Sequence, residues 1–273
     1  MPSLVGSEMC IRDRNNSIQK TLKIANKLAA SDVLEIVLTG VNIGDFGQGK
    51  DETFLQLITE MDKINNIDRI RISSIEPNLL KDEIIEFCSK SKKFMPHFHL
   101  PLQSGSNKIL SIMKRRYNLD LYLSRVKKIK SIIPDCCIGV DVLVGFPGES
   151  ESDFLDTYNY LNELAVSYFH VFTYSERENT EAYKYKDIVP SKIRSERSKM
   201  LRILSEKKRR YFYSEQLGLK RPVLFESIKN GYLIGYTDNY VKVKLKDKSK
   251  LINTIQHVNL LEIENTEVLS EIA

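Results

Sequence analysis

Several short stretches hold side chains whose types and spacing suit the capture of a small polar ligand. Ser73, Ser74 and Glu76 set two hydroxyls close to a carboxylate, the donor and acceptor set that a ribose diol requires. The same residues would equally serve as the N-terminal cap of a following helix. Asn42, two residues after Gly40, can accept from or donate to an amino-acid group, or stand as an ordinary turn residue. Arg115, inside the run Lys114-Arg115-Arg116-Tyr117, can clamp a carboxylate or phosphate with two parallel hydrogen bonds, with a solvated helix end as the competing reading. In Gly145-Phe146-Pro147-Gly148-Glu149, Pro fixes one dihedral and the glycines permit close backbone approach, so the turn is either a nucleoside-facing loop or purely structural. Ser150 and Asp153 after it match a helix capping box. His97 and His99 share a strand face, with Phe98 on the other. No third ligand accompanies them, so they read as hydrogen-bonded members of a barrel layer and no metal ligand is assigned.

The elements that must position these residues alternate. Ile18, Leu22, Ala25 and Ala29 mark one face of a helix, followed by an apolar run at 33–38 that suits a strand buried on both sides. The pattern repeats with a helix through Phe54, Leu57, Ile58, Met61 and Ile64, a strand at 69–73, a helix at 79–89 and a strand at 97–102. Helices over 108–133, a strand at 138–144, a helix at 151–164 and a strand at 167–174 complete it. Strands so spaced leave room for crossover helices, which predicts an α/β fold with a parallel βα sheet or barrel. The polar and Gly-containing loops follow the carboxyl ends of the strands, where parallel α/β proteins bind ligands, so one shared site on one rim is expected.

The formal charge is +5, and it is unevenly spread: residues 184–221 carry 13 Lys and Arg against 4 Asp and Glu. That segment contains a basic helix at 191–213, whose apolar positions Ile193, Met200, Leu204 and Tyr211 are read as its docking face. Beyond a boundary near residue 214, β-like runs at 223–226, 232–236, 240–245 and 258–263 predict a small all-β barrel. There Lys242, Lys244 and Lys246 alternate with Val241, Val243 and Leu245, next to Tyr232, Tyr236 and Tyr240. The run Lys207-Lys208-Arg209-Arg210, with Tyr240, Lys242 and Lys244, is the expected RNA-contacting set, set against the alternatives of a solvated helix face and a lysine-protected edge strand. Cys10, Cys88, Cys136 and Cys137 follow neither a disulfide framework nor the spacing of a zinc or iron–sulfur site, which suits a reducing, cytoplasmic setting. No apolar run approaches the ~18 residues of a membrane-spanning helix. Residues 1–14 show no period of either kind and read as an adaptor-like, non-native leader.

Taken together, VLTGVNIGDFG (37–47), RISSIEP (71–77), HFHLPLQSGS (97–106), DVLVGFPGES (141–150) and YSERENTEA (174–182) resemble the radical S-adenosylmethionine (AdoMet) methylthiotransferases. VLFE and GYTDNYVKV in the tail look like their C-terminal RNA-binding TRAM domain. The first of these motifs is similar to the branch acting on threonylcarbamoyladenosine beside the tRNA anticodon. The resemblance implies a partial (β/α) barrel lacking its first strand over 15–213 and a TRAM barrel over 214–273. It implies AdoMet as cofactor, with Gly40 and Asn42 at its methionyl group, Ser73, Ser74 and Glu76 at its ribose, Val144, Gly145 and Phe146 at its adenine, and Arg115 as a carboxylate anchor. It implies a methylthio group inserted at C2 of adenine by radical chemistry, a tRNA anticodon stem-loop as partner and an electron donor such as flavodoxin or ferredoxin. The [4Fe-4S] clusters of such enzymes belong to a longer parent, since their ligand cysteines are absent from this sequence, and the fragment by itself is expected to be inactive. An RNA-binding remnant without catalysis, or a methylthiotransferase for isopentenyladenosine or a ribosomal protein, is the alternative.

Overall fold

The computed structural model describes residues 16–273 except 41, 48, 50, 179, 247 and 248, so the leader and Cys10 lie outside the described residues. Helix and strand alternate through α1 (Ile18–Ala29), β1 (Glu35–Leu38), α2 (Phe54–Asp62), β2 (Arg69–Ile72), α3 (Asp82–Lys90) and β3 (His97–His99). They continue through α4 (Asn107–Ile112), α5 (Leu119–Ile132), β4 (Cys137–Val144), α6 (Glu151–Glu163) and β5 (Tyr168–Thr173). β1 pairs parallel with β2, and β3, β4 and β5 pair parallel with one another. Parallel bridges Ile70–Phe94 and Ser74–His99 join the two sets edge to edge, giving an open βα barrel in chain order. The strand pleat sends Ile36, Ile70, Ile72, Val140 and Val142 to the helix side, where each is buried. Side chains of this size contribute ~1.5–3 kcal/mol each when removed from water. The opposite, concave face carries Glu35, Arg71, His99, Asp141 and His170 instead.

Local chemistry sets the helix starts. Thr53 with Gln56 and Ser150 with Asp153 form complete capping boxes at α2 and α6. α3 begins three residues later than its apolar pattern suggests, because the Leu79 and Leu80 amides turn back onto the Glu76 carbonyl and Lys81 stays extended. The Ser73-Ser74-Glu76 loop therefore ends in a turn of its own and does not cap the helix.

α7 (Ser191–Ser214) corrects one expectation. Of the four apolar positions read as its docking face, only Leu204 is buried, while Ile193, Met200 and Tyr211 are exposed. The buried stripe is Arg194, Arg197, Ser198, Leu201, Leu204 and Ser205, continued by Phe212 and Tyr213 against the tail barrel. Polar residues sit there because α7 covers backbone and carboxylates as well as apolar surface. Ser205 Oγ accepts from the Phe169 amide at 2.9 Å and donates to the Phe169 carbonyl at 2.7 Å, so it occupies main-chain groups of β5, the last strand of the sheet.

The tail is a closed five-stranded barrel in the order β10-β8-β7-β6-β9, from β6 (Lys220–Lys229), β7 (Tyr232–Thr237), β8 (Lys242–Lys246), β9 (Thr254–Glu264) and β10 (Glu267–Ile272). β10, beyond the left-handed turn residue Asn265, closes it by pairing parallel with β8 and was not among the four expected strands. Val223, Phe225, Leu233, Val243 and Val258 fill the interior. Gly235 is required on β7, since a Cβ there would stand 2.2 Å from the Leu224 carbonyl oxygen.

The tail barrel docks against the concave face of the sheet through two buried arginines of β2. Arg69 donates to the carbonyls of Tyr236 (3.1 Å) and Pro222 (2.8 Å), and Arg71 to those of Asp238 and Thr237 (2.8 Å each). Arg71 Nε also donates to Glu35 Oε1 at 2.8 Å. Tyr240, held at φ 67°, turns inward and stacks on His97 with ring centroids 4.1 Å apart. Arg71→Met would leave Glu35 without its hydrogen-bond donor and remove the guanidinium from the Asp238 and Thr237 carbonyls, the latter keeping only the Tyr240 amide, so we expect a stability loss of about 3 kcal/mol. Urea unfolding checks this, and a loss within experimental error would show that the arginine does not hold the junction.

Candidate functional site

The rim at the carboxyl ends of the strands brings together residues from three loops. Glu76 Oε1 accepts from Arg115 Nη1 at 3.1 Å, and Asn42 Nδ2 donates to Asp45 Oδ2 at 2.7 Å and to Glu76 Oε2 at 3.4 Å. Asn42, Glu76 and Arg115, far apart in the chain, therefore form one connected cluster. Ser73 and Ser74 lie half-buried beside it at the end of β2, with Ser74 bridged to His99, and Gly40 is exposed on the neighbouring loop. Two polar atoms of the cluster are buried without a hydrogen-bond partner among the described residues: Asn42 Oδ1, an acceptor, and Arg115 Nε, a donor. An α-amino-acid group supplies the complement of both, an ammonium donor and a carboxylate acceptor. The residues present fit the amino-acid end of AdoMet on that ground.

The loop after β4 is held from behind. Gly145 has φ +74°, and its amide donates to Glu149 Oε1 at 3.0 Å. Phe146 is fully buried against Tyr174 and Tyr185, and Val144 points to the helix side. The side chains of Val144 and Phe146 thus face away from the rim, which for Val144 follows from strand alternation from Asp141 onward, and the Val144 carbonyl is held by the Tyr174 amide. Burial pushes the Glu149 carboxyl up, against the pull of the Gly145 amide and Arg197. Asp153 behaves oppositely. Burial raises it, but hydrogen bonds from Lys108, Ser150 and Ser106 prevail and hold it well below the usual carboxylate range. Through Ser106 (2.8 Å) and Lys108 (2.8 Å) it ties the loop after β3 to the start of α6.

Below the rim, a cavity of about 300 Å³ lies between sheet and tail barrel, bordered by Glu35, Arg71, Ser73, His99, His170 and Tyr240. His99 Nε2 lies 2.9 Å from Asp141 Oδ1, and His97 Nε2 lies 3.1 Å from the Tyr168 hydroxyl. Burial, with Arg71 and the neighbouring histidines, depresses His97 well below the usual imidazole range, and burial with His99 depresses His170. Asp141 and Tyr168, the partners of the two histidines, were not singled out by sequence. Asp141's place on the concave face follows from counting back from Gly145 along β4.

The expected RNA-contacting residues are dispersed. Lys207 and Arg210 are exposed on α7, Lys208 donates to the Leu164 carbonyl at 2.8 Å, and Arg209 lies over the Tyr168 ring. Tyr240 is turned into the domain junction by its left-handed backbone, so its ring is not on the outer surface. Lys242 pairs with Glu267 at 2.8 Å and Lys244 with Glu264 at 2.5 Å, carboxylates supplied by β10 and β9.

The sequence profile of the radical SAM superfamily matches residues 6–161. The chain belongs to the radical SAM superfamily. It is 36% identical over 256 residues to the threonylcarbamoyladenosine tRNA methylthiotransferase MtaB of Bacillus subtilis, covering 91% of this chain and 57% of that protein. It is 38% identical over 245 residues to the MtaB of Aquifex aeolicus, covering 89% and 59%. It is 33% identical over 282 residues to the tRNA-2-methylthio-N(6)-dimethylallyladenosine synthase of Aliarcobacter butzleri, covering 100% and 63%. The chain thus spans roughly three-fifths of the length of these relatives.

Radical SAM chemistry uses an iron–sulfur cluster held by thiolates. Cys88, Cys136 and Cys137 are free and buried, and burial pushes all three thiols up, that of Cys137 to about 12. Among the described residues no three His, Cys, Asp or Glu side chains are grouped to hold a metal. The described residues therefore do not fit a cluster. Also among them, no helix is long and apolar enough to cross a membrane.

Asp153 links two rim loops, and its depressed carboxyl contributes stability above its ordinary pKa that is lost as pH falls through the lower folded value. Stability followed from pH 6 down to about pH 2.5 should fall steeply below pH 4 in the wild type and less so in Asp153→Asn. Parallel curves would show that Asp153 is not the group responsible.

Proposed function

We propose that the protein is a tRNA methylthiotransferase that places a methylthio group on C2 of N6-threonylcarbamoyladenosine at tRNA position 37. The observation that carries this reading is the 36% and 38% identity to two relatives of that name, running from the rim loops through the tail barrel. The activity is assigned to the whole protein, of which this chain supplies the cofactor rim and the RNA-facing tail. A longer parent supplies the cluster and receives its electron from a donor such as flavodoxin or ferredoxin.

AdoMet, when bound, supplies the methyl group and the radical equivalent that activates the adenine carbon. The chain's own residues bind and orient it. Asn42 Oδ1 accepts from the methionyl ammonium near Gly40, and Arg115 Nε donates to the carboxylate, so both orphaned atoms gain partners. Arg115 stays aimed because Glu76 holds its Nη1. Ser73, Ser74 and Glu76 take the ribose hydroxyls, and the main chain of Val144, Gly145 and Phe146 lies along the adenine.

The RNA partner is the anticodon stem-loop, drawn by α7 and the tail. Lys207 and Arg210 supply phosphate contacts. Replacing both with Ala should lower stem-loop affinity and reduce the slope of log K against log salt by about two. An unchanged slope would remove α7 from the RNA interface.

The 33% identity to a dimethylallyladenosine synthase favours a second substrate, isopentenyladenosine. Nucleoside mass spectrometry of tRNA from cells expressing the full-length protein separates the two. The methylthio derivative of threonylcarbamoyladenosine is the expected product. That of isopentenyladenosine would move the assignment to the second branch, and neither product would overturn it.

A further inference from the structure

The loop after β4 is fixed by groups that come from α7, which lies beyond β5 in the chain. Glu149 Oε1 accepts from the Gly145 amide at 3.0 Å and from Arg197 Nη1 at 2.5 Å, and Arg197 Nη1 also reaches the Glu149 carbonyl at 3.2 Å. One carboxylate oxygen therefore joins the turn to the helix. Arg197 also lies over the Phe154 ring, 5.2 Å from its centroid, a second contact that restrains its guanidinium. One turn earlier, Arg194 lays its stem across Gly145, where a Cβ would stand 2.3 Å from Arg194 Cγ. Its head donates to the Val189 carbonyl at 2.6 Å and the Tyr174 carbonyl at 2.8 Å and pairs with Glu176. Glu149, Arg194 and Arg197 are all buried.

Burying ions here is not an efficient route to stability, because desolvation offsets most of the attraction and an apolar pair of similar volume does as well. What the ions supply is direction. A guanidinium bonded to one oxygen and seated over a ring permits only a narrow range of positions for that oxygen, and the oxygen holds the Gly145 amide.

We infer that Arg197 is a positioning residue: acting through Glu149, it sets the main-chain geometry of the Gly145 turn and with it the seat of the cofactor's adenine. This rests on the AdoMet reading above and adds to it a helix that does not touch the cofactor. The same helix carries Lys207 and Arg210 on its exposed side, so the adenine seat and the RNA-facing cations share one rigid element.

The test uses the full chain and S-adenosylhomocysteine as probe, with calorimetry for affinity and amide hydrogen exchange over 145–149 for the turn. Arg197→Lys keeps the charge and loses the planar fork. We expect Kd to rise about tenfold and the Gly145 amide to exchange faster, both measured well below the unfolding temperature. Lys192→Ala, on the exposed side of α7, should match the wild type in both. If Arg197→Lys does not fold, the double variant Glu149→Gln with Arg197→Met removes both charges together, and the same weakening is expected. Wild-type Kd and wild-type exchange in the Arg197 variant would overturn the positioning role while leaving the cofactor site intact. A wild-type chain that takes up no S-adenosylhomocysteine would overturn the cofactor reading, and this inference with it.

Discussion

Two guanidinium groups on β2, Arg69 and Arg71, govern how the rest of the molecule is assembled. A parallel sheet covered by helices on one side must do something with its other side, and here that side is polar. Charges on it are tolerable only with partners, and the partners are four main-chain carbonyls of the tail barrel together with Glu35. Those carbonyls belong to Pro222 and to the turn from Tyr236 to Asp238, and those of Pro222 and Thr237 accept from an arginine in addition to the amides of Asp238 and Tyr240. The two arginines work beside an apolar seam in which Cys137, Tyr168, Phe212 and Tyr213 pack into the barrel interior, and beside Asp135, which meets Arg221 and Asn239 of the tail.

That seating places Tyr240 and Glu226 under the sheet and leaves the carboxyl rim clear above. The rim cluster gains its definition from polar contacts across loops: Glu76 to Arg115 and Asn42, Asp153 to Ser106 and Lys108, Glu149 to Gly145 and Arg197. Each carboxylate spans two segments distant in sequence. A site made this way is rigid in its framework yet retains an acceptor on Asn42 and a donor on Arg115 that the protein itself does not satisfy.

Much of this was legible beforehand, because the strands report their own faces. Apolar runs and loop chemistry located every sheet strand to within a few residues, and the pairing of His97 with His99 on one face follows from period two. The loops at the carboxyl ends were legible for the same reason. Three features were not. The docking face of α7 was not legible because half of its buried positions are Arg and Ser, whose role depends on carboxylates and edge backbone that a hydropathy pattern does not show. Tyr240 read as a surface aromatic because its left-handed backbone, which turns it inward, is set by the Thr237-Asn239 turn and not by its own type. Lys242 and Lys244 read as free cations because Glu267 and Glu264 arrive from strands later in the chain, one of which went unrecognised.

Ser205 has a consequence for growth of the sheet. By satisfying both main-chain groups of Phe169 it closes the β5 margin with a side chain from a helix, so no further ribbon of backbone can dock there without displacing α7. At the opposite margin β1 pairs only with β2 among the described residues, and Val37 stands exposed. The sheet is thus polar in the architectural sense: extension is blocked on one flank and admissible on the other, and any added strand must enlarge the barrel from the β1 side.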